Sequence, residues 1–129
     1  GLIIQGDRRR LARVIANLID NARIHGDGEA SISLEIPTHA GHAEQLLHIA
    51  VEDHGPGVPE SERALVFERF ARGVAAGRRS SGDGSGLGLA LVAEHVRLHK
   101  GRVWVEDRHD GQRGARFVIE LPAEEVEVE

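Results

Sequence analysis

At 129 residues, 40% hydrophobic and 29% charged, the chain has the size and composition of one soluble globular domain. It has no cysteine, which excludes a disulfide scaffold, thiol chemistry and a cysteine-ligated zinc, and agrees with an intracellular setting. The net charge of −5 owes much to residues 123–129, where four of the 21 acids fall; the nearly neutral body, only 3% aromatic, does not suggest a nucleic-acid surface. No apolar run reaches the length of a membrane span and no signal peptide is visible. The chain begins with glycine and lacks methionine, so a piece cut from a longer protein is expected.

Leu2 to Gln5 predicts a short strand, and Gly6-Asp7 breaks it with an aspartate placed to cap a helix. From Arg8 to His25, the residues Leu11, Val14, Ile15, Leu18, Ile19 and Ala22 keep the three-four spacing of an amphipathic helix. At about 100° per residue, Arg10, Arg13, Asn17, Asn21 and Ile24 share a narrow stripe of it. Asparagine is a mediocre helix former, so two of them one turn apart ask for a reason. Either the stripe is a solvated polar face, or its amide oxygens serve a Mg²⁺ ion, which takes few ligands from protein when phosphates and water supply the rest. Gly26 to Gly28 ends the helix in a turn.

Ala30 to Ile36 alternates apolar Ile32, Leu34 and Ile36 with polar neighbours, Leu46 to Val51 is a second strand, and the turn-rich stretch between them predicts a hairpin. A metal at His39 and His42 in that loop is not expected. Asp53 follows where strand gives way to loop, in VEDHGPGVP. Its carboxylate only accepts hydrogen bonds, so an amino group such as that of adenine is a natural partner. Gly55 and Gly57 would let backbone approach a flat ligand; the plain alternative is a strand-to-helix turn with Asp53 as a cap.

Glu60 to Ala64 predicts one or two helical turns, after which Phe67 and Phe70 flank Arg69 as packing residues. Ala71 to Gly84 holds Arg72, Arg78 and Arg79 among small and polar residues, too little apolar surface for one fixed shape, and reads as a lid. It feeds the run GDGSGLGLAL, Gly82 to Leu91, in which glycines lead into a helix start. Helix starts present free N–H groups and partial positive charge, which suits phosphate, although a bare glycine linker has the same look. The Walker loop is excluded, because the only lysine, Lys100, is followed by Gly101 rather than Ser or Thr, and the dinucleotide fingerprint lacks its third glycine. The helix Leu87 to His99 should turn Leu87, Leu91, Val92, Val96 and Leu98 inward; His95 and His99 lie one turn apart, without a third ligand that would make them a metal site. Gly101 closes the helix, and Arg102 to Glu106 and Ala115 to Leu121 form a final hairpin. The order implies an α+β fold with helices on one face of a largely antiparallel sheet.

Four segments, NLIDNARIHG (Asn17 to Gly26), DHGPG (Asp53 to Gly57), FERF (Phe67 to Phe70) and GSGLGLAL (Gly84 to Leu91), occur in the order and spacing of the sequence boxes of the ATP-binding domain of sensor histidine kinases, which the chain resembles over nearly its whole length. The resemblance implies a two-layer α/β sandwich of the Bergerat type over a mixed, largely antiparallel sheet, with ATP and Mg²⁺ beneath a flexible lid at about 71–85. The domain would occupy residues 1–122, with 123–129 as an acidic tail. Asn21 would be the Mg²⁺ ligand and Asn17 its phosphate-side neighbour. Asp53 would bind the adenine amino group, Gly55 and Gly57 would shape the pocket, and Gly84, Ser85, Gly86, Leu87 and Gly88 would bring backbone to the phosphates. Arg72, Arg78 or Arg79 would neutralise the terminal phosphate, and Phe67 and Phe70 would anchor the lid hinge.

In the hydrolysing branches of this superfamily and in the anti-sigma serine kinases, the residue one turn before the Mg²⁺ asparagine is a glutamate base. Asn17 cannot act as one, which favours a histidine acceptor whose neutral imidazole is already nucleophilic. The chain departs from the family at Ile24, where Lys or Arg is usual, and none of its eight histidines lies in a phosphoacceptor box. The implied function is therefore transfer of the γ-phosphoryl of Mg·ATP to a histidine on a separate dimerisation domain, with a response regulator downstream and no self-phosphorylation by this domain alone. The alternatives are an anti-sigma-type serine kinase, suggested by NARIHG, and a nucleotide-binding module without transfer activity. The implied setting is the cytoplasmic portion of a membrane-anchored bacterial sensor, this segment itself touching neither membrane nor nucleic acid.

Overall fold

The computed structural model describes residues 2–27, 30–36, 45–68 and 88–125. Its elements are β1 (Leu2–Ile3), α1 (Arg8–His25), β2 (Ala30–Glu35), β3 (Gln45–Asp53), two short 3₁₀ turns (Glu60–Glu62 and Leu65–Phe67), α2 (Gly88–Leu98), β4 (Arg102–Asp107) and β5 (Ala115–Glu125). β5 holds the centre of the sheet, flanked by β3 and β4; β2 pairs with β3, and β1 sets Leu2 and Ile3 opposite Glu125 and Glu124. All these pairings are antiparallel.

Strand alternation divides the sheet into two chemically distinct faces. On one, Ile49, Val51, Val105, Phe117, Ile119 and Leu121 form a single core with Val14, Leu18 and Ala22 of α1 and Leu89, Val92 and Val96 of α2. This is the expected two-layer arrangement. The register places Glu52, Arg116 and Glu106 in one row of the other face, and His48, Glu120 and Arg102 in another. Arg116 is only 4% exposed and is ringed by Glu35 at 3.4 Å and by Glu52 and Glu106 at 3.7 Å. Among the described residues no helix is long and apolar enough to cross a membrane.

α1 begins where the cap residue predicts, since the Asp7 carboxylate accepts from the backbone N–H of Arg9 and Arg10. Its other tie is to the end of α2. The Asp7 N–H donates to His99 Nε2 at 2.9 Å, while His99 Nδ1 faces the His95 carbonyl at 2.7 Å, so both ring nitrogens are engaged. A Cβ on Gly6 would overlap the His99 ring, so only glycine lets the chain pass there.

Four details differ from the sequence reading. Leu89 is the buried leucine at the start of α2 and Leu98 is 50% exposed, because the stripe facing α1 and the sheet runs Leu89, Val92, Val96. The left-handed residue that ends α2 is Lys100 (φ 61°), and the N–H of Gly101 closes the turn onto the Val96 carbonyl at 2.9 Å. β5 runs through the boundary set at 122: Ala123 is buried opposite Gln45 and Glu124 pairs with Ile3, so only 126–129 of the acidic tail lies outside the described residues. Finally, Ile32, Leu34 and Ile36 alternate as expected yet are at least half exposed, because β2 is the strand furthest from β5.

Candidate functional site

The α1 stripe faces solvent at Arg10, Arg13 and Ile24, but not at Asn21. Asn21 is 7% exposed, and with Asn17, Ile24 and His25 it lines a cleft of about 70 Å³ closed on its other side by Gly88 and Leu89, the first residues of α2. Among the described residues, Asn17 Nδ2 and both polar atoms of Asn21 are buried without a hydrogen-bond partner. Each such group costs about 1–3 kcal/mol unless something satisfies it. An amide oxygen suits a hard cation such as Mg²⁺, and an amide N–H₂ suits a phosphate oxygen, so the orphaned atoms fit the pair of groups that Mg·ATP would bring. Gly88 adds the N-terminus of an 11-residue helix, where partial positive charge favours an anion. A Cβ there would meet nothing within 4 Å. Ile24, at the rim, is 50% exposed, and Arg23 turns aside to Asp20 at 3.4 Å.

The second half of the site is built around Asp53, the last residue of β3 and 1% exposed. Its Oδ1 accepts from the N–H of Gly55 at 3.0 Å and of Ala115 at 2.9 Å, which fixes the carboxylate in one pose. Two glycines make room for Asp53. A Cβ on Gly26 would lie 2.6 Å from Asp53 Cγ, and one on Gly114 (φ 138°) would collide with the Asp53 carbonyl. The room at Gly55 is taken up by the end of α1, since a Cβ there would sit 2.6 Å from the His25 carbonyl oxygen and 2.8 Å from Gly26 Cα. Gly57 adopts a left-handed φ of 78° beside the Gly114 carbonyl. Gly26 thus links the two halves: it ends the helix that carries Asn17 and Asn21, and its carbonyl accepts from His54 N–H at 3.3 Å, next to Asp53.

Of the other expected site residues, Arg72, Arg78, Arg79, Gly84, Ser85, Gly86 and Leu87 lie outside the described residues, as do Phe70, His39, His42 and the lid at 71–85. Phe67 packs edge-on against Phe117 with ring centroids 6.0 Å apart. His99 is committed to Asp7 and His95, and among the described residues no group of three potential metal-ligating side chains occurs. Sequence reading missed Gly114, Ala115 and Arg108. Arg108 and Gly114 lie in the β4–β5 turn and Ala115 opens β5, and all three reach Asp53 across more than fifty residues of chain. The only local hint was the glycine-rich stretch RHDGQRG before the last strand.

The family profile described as "Histidine kinase-, DNA gyrase B-, and HSP90-like ATPase" matches residues 6–125. The sensor-type histidine kinase PrrB of Mycobacterium tuberculosis (strain ATCC 25618 / H37Rv) is 43% identical over 120 residues, 93% of this chain and 24% of PrrB. The chain therefore spans about a quarter of the length of the curated relatives it matches. Among solved structures, the mycobacterial sensor histidine kinase MprB superposes with a TM-score of 0.72 at 32% identity, covering 95% of this chain and 76% of that one. Full-length ShkA in complex with AMPPNP superposes with a TM-score of 0.70 at 29% identity, covering 97% of this chain and 24% of that one.

Proposed function

Since the chain belongs to the histidine kinase-, DNA gyrase B- and HSP90-like ATPase family, we propose that it is the catalytic, ATP-binding domain of a sensor histidine kinase, and that it passes the γ-phosphoryl group of Mg·ATP to a histidine on a separate dimerisation domain. The observation that carries this reading is the set of buried amide atoms, Asn17 Nδ2 and both polar atoms of Asn21, that have no hydrogen-bond partner among the described residues and lie in the cleft at the start of α2. In it Asn21 ligates the cation, Asn17 donates to a phosphate oxygen, and Asp53 accepts from the adenine amino group. The bound Mg²⁺ supplies neutralisation of β- and γ-phosphate charge. The chain's own part is to orient the nucleotide and to withhold a base: Asn17 cannot activate water or a serine hydroxyl, so the triphosphate is kept for an acceptor that is nucleophilic unaided.

On the same reading, Arg72, Arg78 and Arg79 and the backbone of Gly84 to Gly88 close over the phosphates as a lid, a response regulator receives the phosphoryl group from the acceptor histidine, and the parent is a membrane-anchored sensor with this domain in the cytoplasm. The test is to mix the domain with the phosphoacceptor domain of its parent and γ-labelled ATP. Label that is acid-labile and base-stable on the acceptor is expected. Label only on serine overturns histidine transfer, and release of free phosphate without acceptor labelling overturns transfer altogether.

A further inference from the structure

The turn between β4 and β5 and the first residue of β5 grip both ends of Asp53. Ala115 N–H holds the carboxylate, and Arg108, whose side chain is 8% exposed, donates from Nη1 to the Asp53 carbonyl at 2.9 Å. The same nitrogen lies 3.0 Å from Nδ1 of His54. The rest of the guanidinium is engaged by Asp110, with Nε donating to Oδ1 at 3.1 Å and Nη2 to Oδ2 at 2.6 Å. Asp110 Oδ1 accepts in turn from Gln112 N–H at 3.0 Å, which ties the arginine to the backbone of its own turn. The Arg108 guanidinium and that N–H hold the Asp110 carboxyl down at about 2, so the fork stays ionised under ordinary conditions. Gly114 follows, with the φ of 138° that lets it lie against the Asp53 carbonyl. Arg63 braces the other end of the same loop, donating to the Val58 carbonyl at 3.1 Å and to Asp107 at 2.8 Å.

We propose that Arg108 is a positioning residue for base recognition: as a strut from the β4–β5 turn to the Asp53 backbone, it sets the aim of the carboxylate and thereby the preference of the site for adenine. The inference rests on the nucleotide reading above and concerns one end of that site. None of the Arg108 bonds reaches Asn17, Asn21 or Gly88, so the strut acts on the base and leaves the phosphate grip alone. Its chemistry needs an arginine, because a single side chain must satisfy a carbonyl and a bidentate carboxylate at once.

The experiment titrates ATP, GTP and inorganic triphosphate, each with Mg²⁺, into the wild type and into Arg108→Met, Arg108→Lys and Asp110→Asn, with thermal unfolding as a check on folding. Arg108→Met should weaken ATP about tenfold, cut the ATP-over-GTP ratio by a similar factor and leave triphosphate unchanged. Arg108→Lys, which keeps one donor for the Asp53 carbonyl, should recover part of the ratio, and Asp110→Asn should lose part of it. A purely structural role would instead weaken ATP and triphosphate by the same factor, and that result overturns the proposal, as does unchanged selectivity in Arg108→Met. A wild type that binds none of the three ligands overturns the nucleotide reading itself, and the proposal with it.

Discussion

Replacing Asn21 with alanine should leave the free domain about as stable or more stable, while removing part of the stabilisation that nucleotide provides. In the free domain the substitution removes a buried amide with no described partner, worth about 1–3 kcal/mol in relieved desolvation. It also exchanges asparagine for the best helix former inside α1, a gain of about 0.5 kcal/mol. Against these stands the van der Waals packing of a side chain that is 7% exposed, whose removal costs about 1–2 kcal/mol. The sum runs from about 0.5 kcal/mol destabilising to about 2.5 kcal/mol stabilising, a midpoint rise of up to about 10 °C for a domain of this size. With Mg·ATP present a second contribution works against the variant. At a ligand concentration of about 100 Kd the wild type gains roughly 2.7 kcal/mol, and a tenfold loss of affinity cuts that to about 1.4 kcal/mol. The assay is thermal unfolding of both proteins in four buffers, with and without ATP and with Mg²⁺ or a chelator. A variant more than about 1 kcal/mol less stable without ligand, yet with its Mg²⁺-dependent stabilisation intact, would refute the assignment, because the amide would then be serving the fold.

Three further outcomes are expected. Asp53→Asn retains an oxygen to accept from Gly55 and Ala115 but turns an N–H₂ toward the base, so calorimetry should show ATP weakened about ten- to hundredfold, or 1.4–2.8 kcal/mol, with triphosphate unaffected. Arg116→Ala strands Glu35, Glu52 and Glu106 together and should cost about 3 kcal/mol in denaturant unfolding at pH 7. Burial pushes the Glu120 carboxyl up, but the bonds from His48 and Arg102 outweigh it and set the net value below the ordinary range. The resulting stability is fully present above the unfolded-state pKa of about 4.3 and is lost as pH falls through the lower folded-state value, so Glu120→Gln should flatten the midpoint-against-pH curve below about pH 4.5. An unchanged slope would show that the Glu120 bonds contribute nothing to acid sensitivity.

What could be read in advance was local. α1 declared itself from Asp7 to His25 because a cap and a three-four pattern are properties of neighbouring residues, and the β2–β3 hairpin because its alternation is. Asp53 was legible as a strand end, and Asn17 and Asn21 as an anomaly in a helix. What the pattern could not carry was placement across the sheet. Ile32 and Leu34 alternate like core residues, yet their exposure depends on β2 lying furthest from β5. Arg116 sits in an apolar strand among glutamates drawn from three other strands, so nothing adjacent in sequence announces its burial. The Arg108 strut is illegible for the same reason, since its target lies 55 residues earlier.

The central position of β5 also sets a timetable. It is the last strand of the described chain, yet it pairs with β1, β3 and β4 and supplies Phe117, Ile119 and Leu121 to the core. Asp53 waits 62 residues for the N–H of Ala115. At a synthesis rate of about 5–20 residues per second, that is roughly 3–12 s during which a nascent chain carries β2 and β3 without the strand that completes them. Through that interval Ile49 and Val51 lack Ile119 and Phe117, their partners across the pairing, and the sheet closes only once β5 has been made. The β2–β3 pair therefore goes without its central partner for longer than it would in a domain whose central strand is made first.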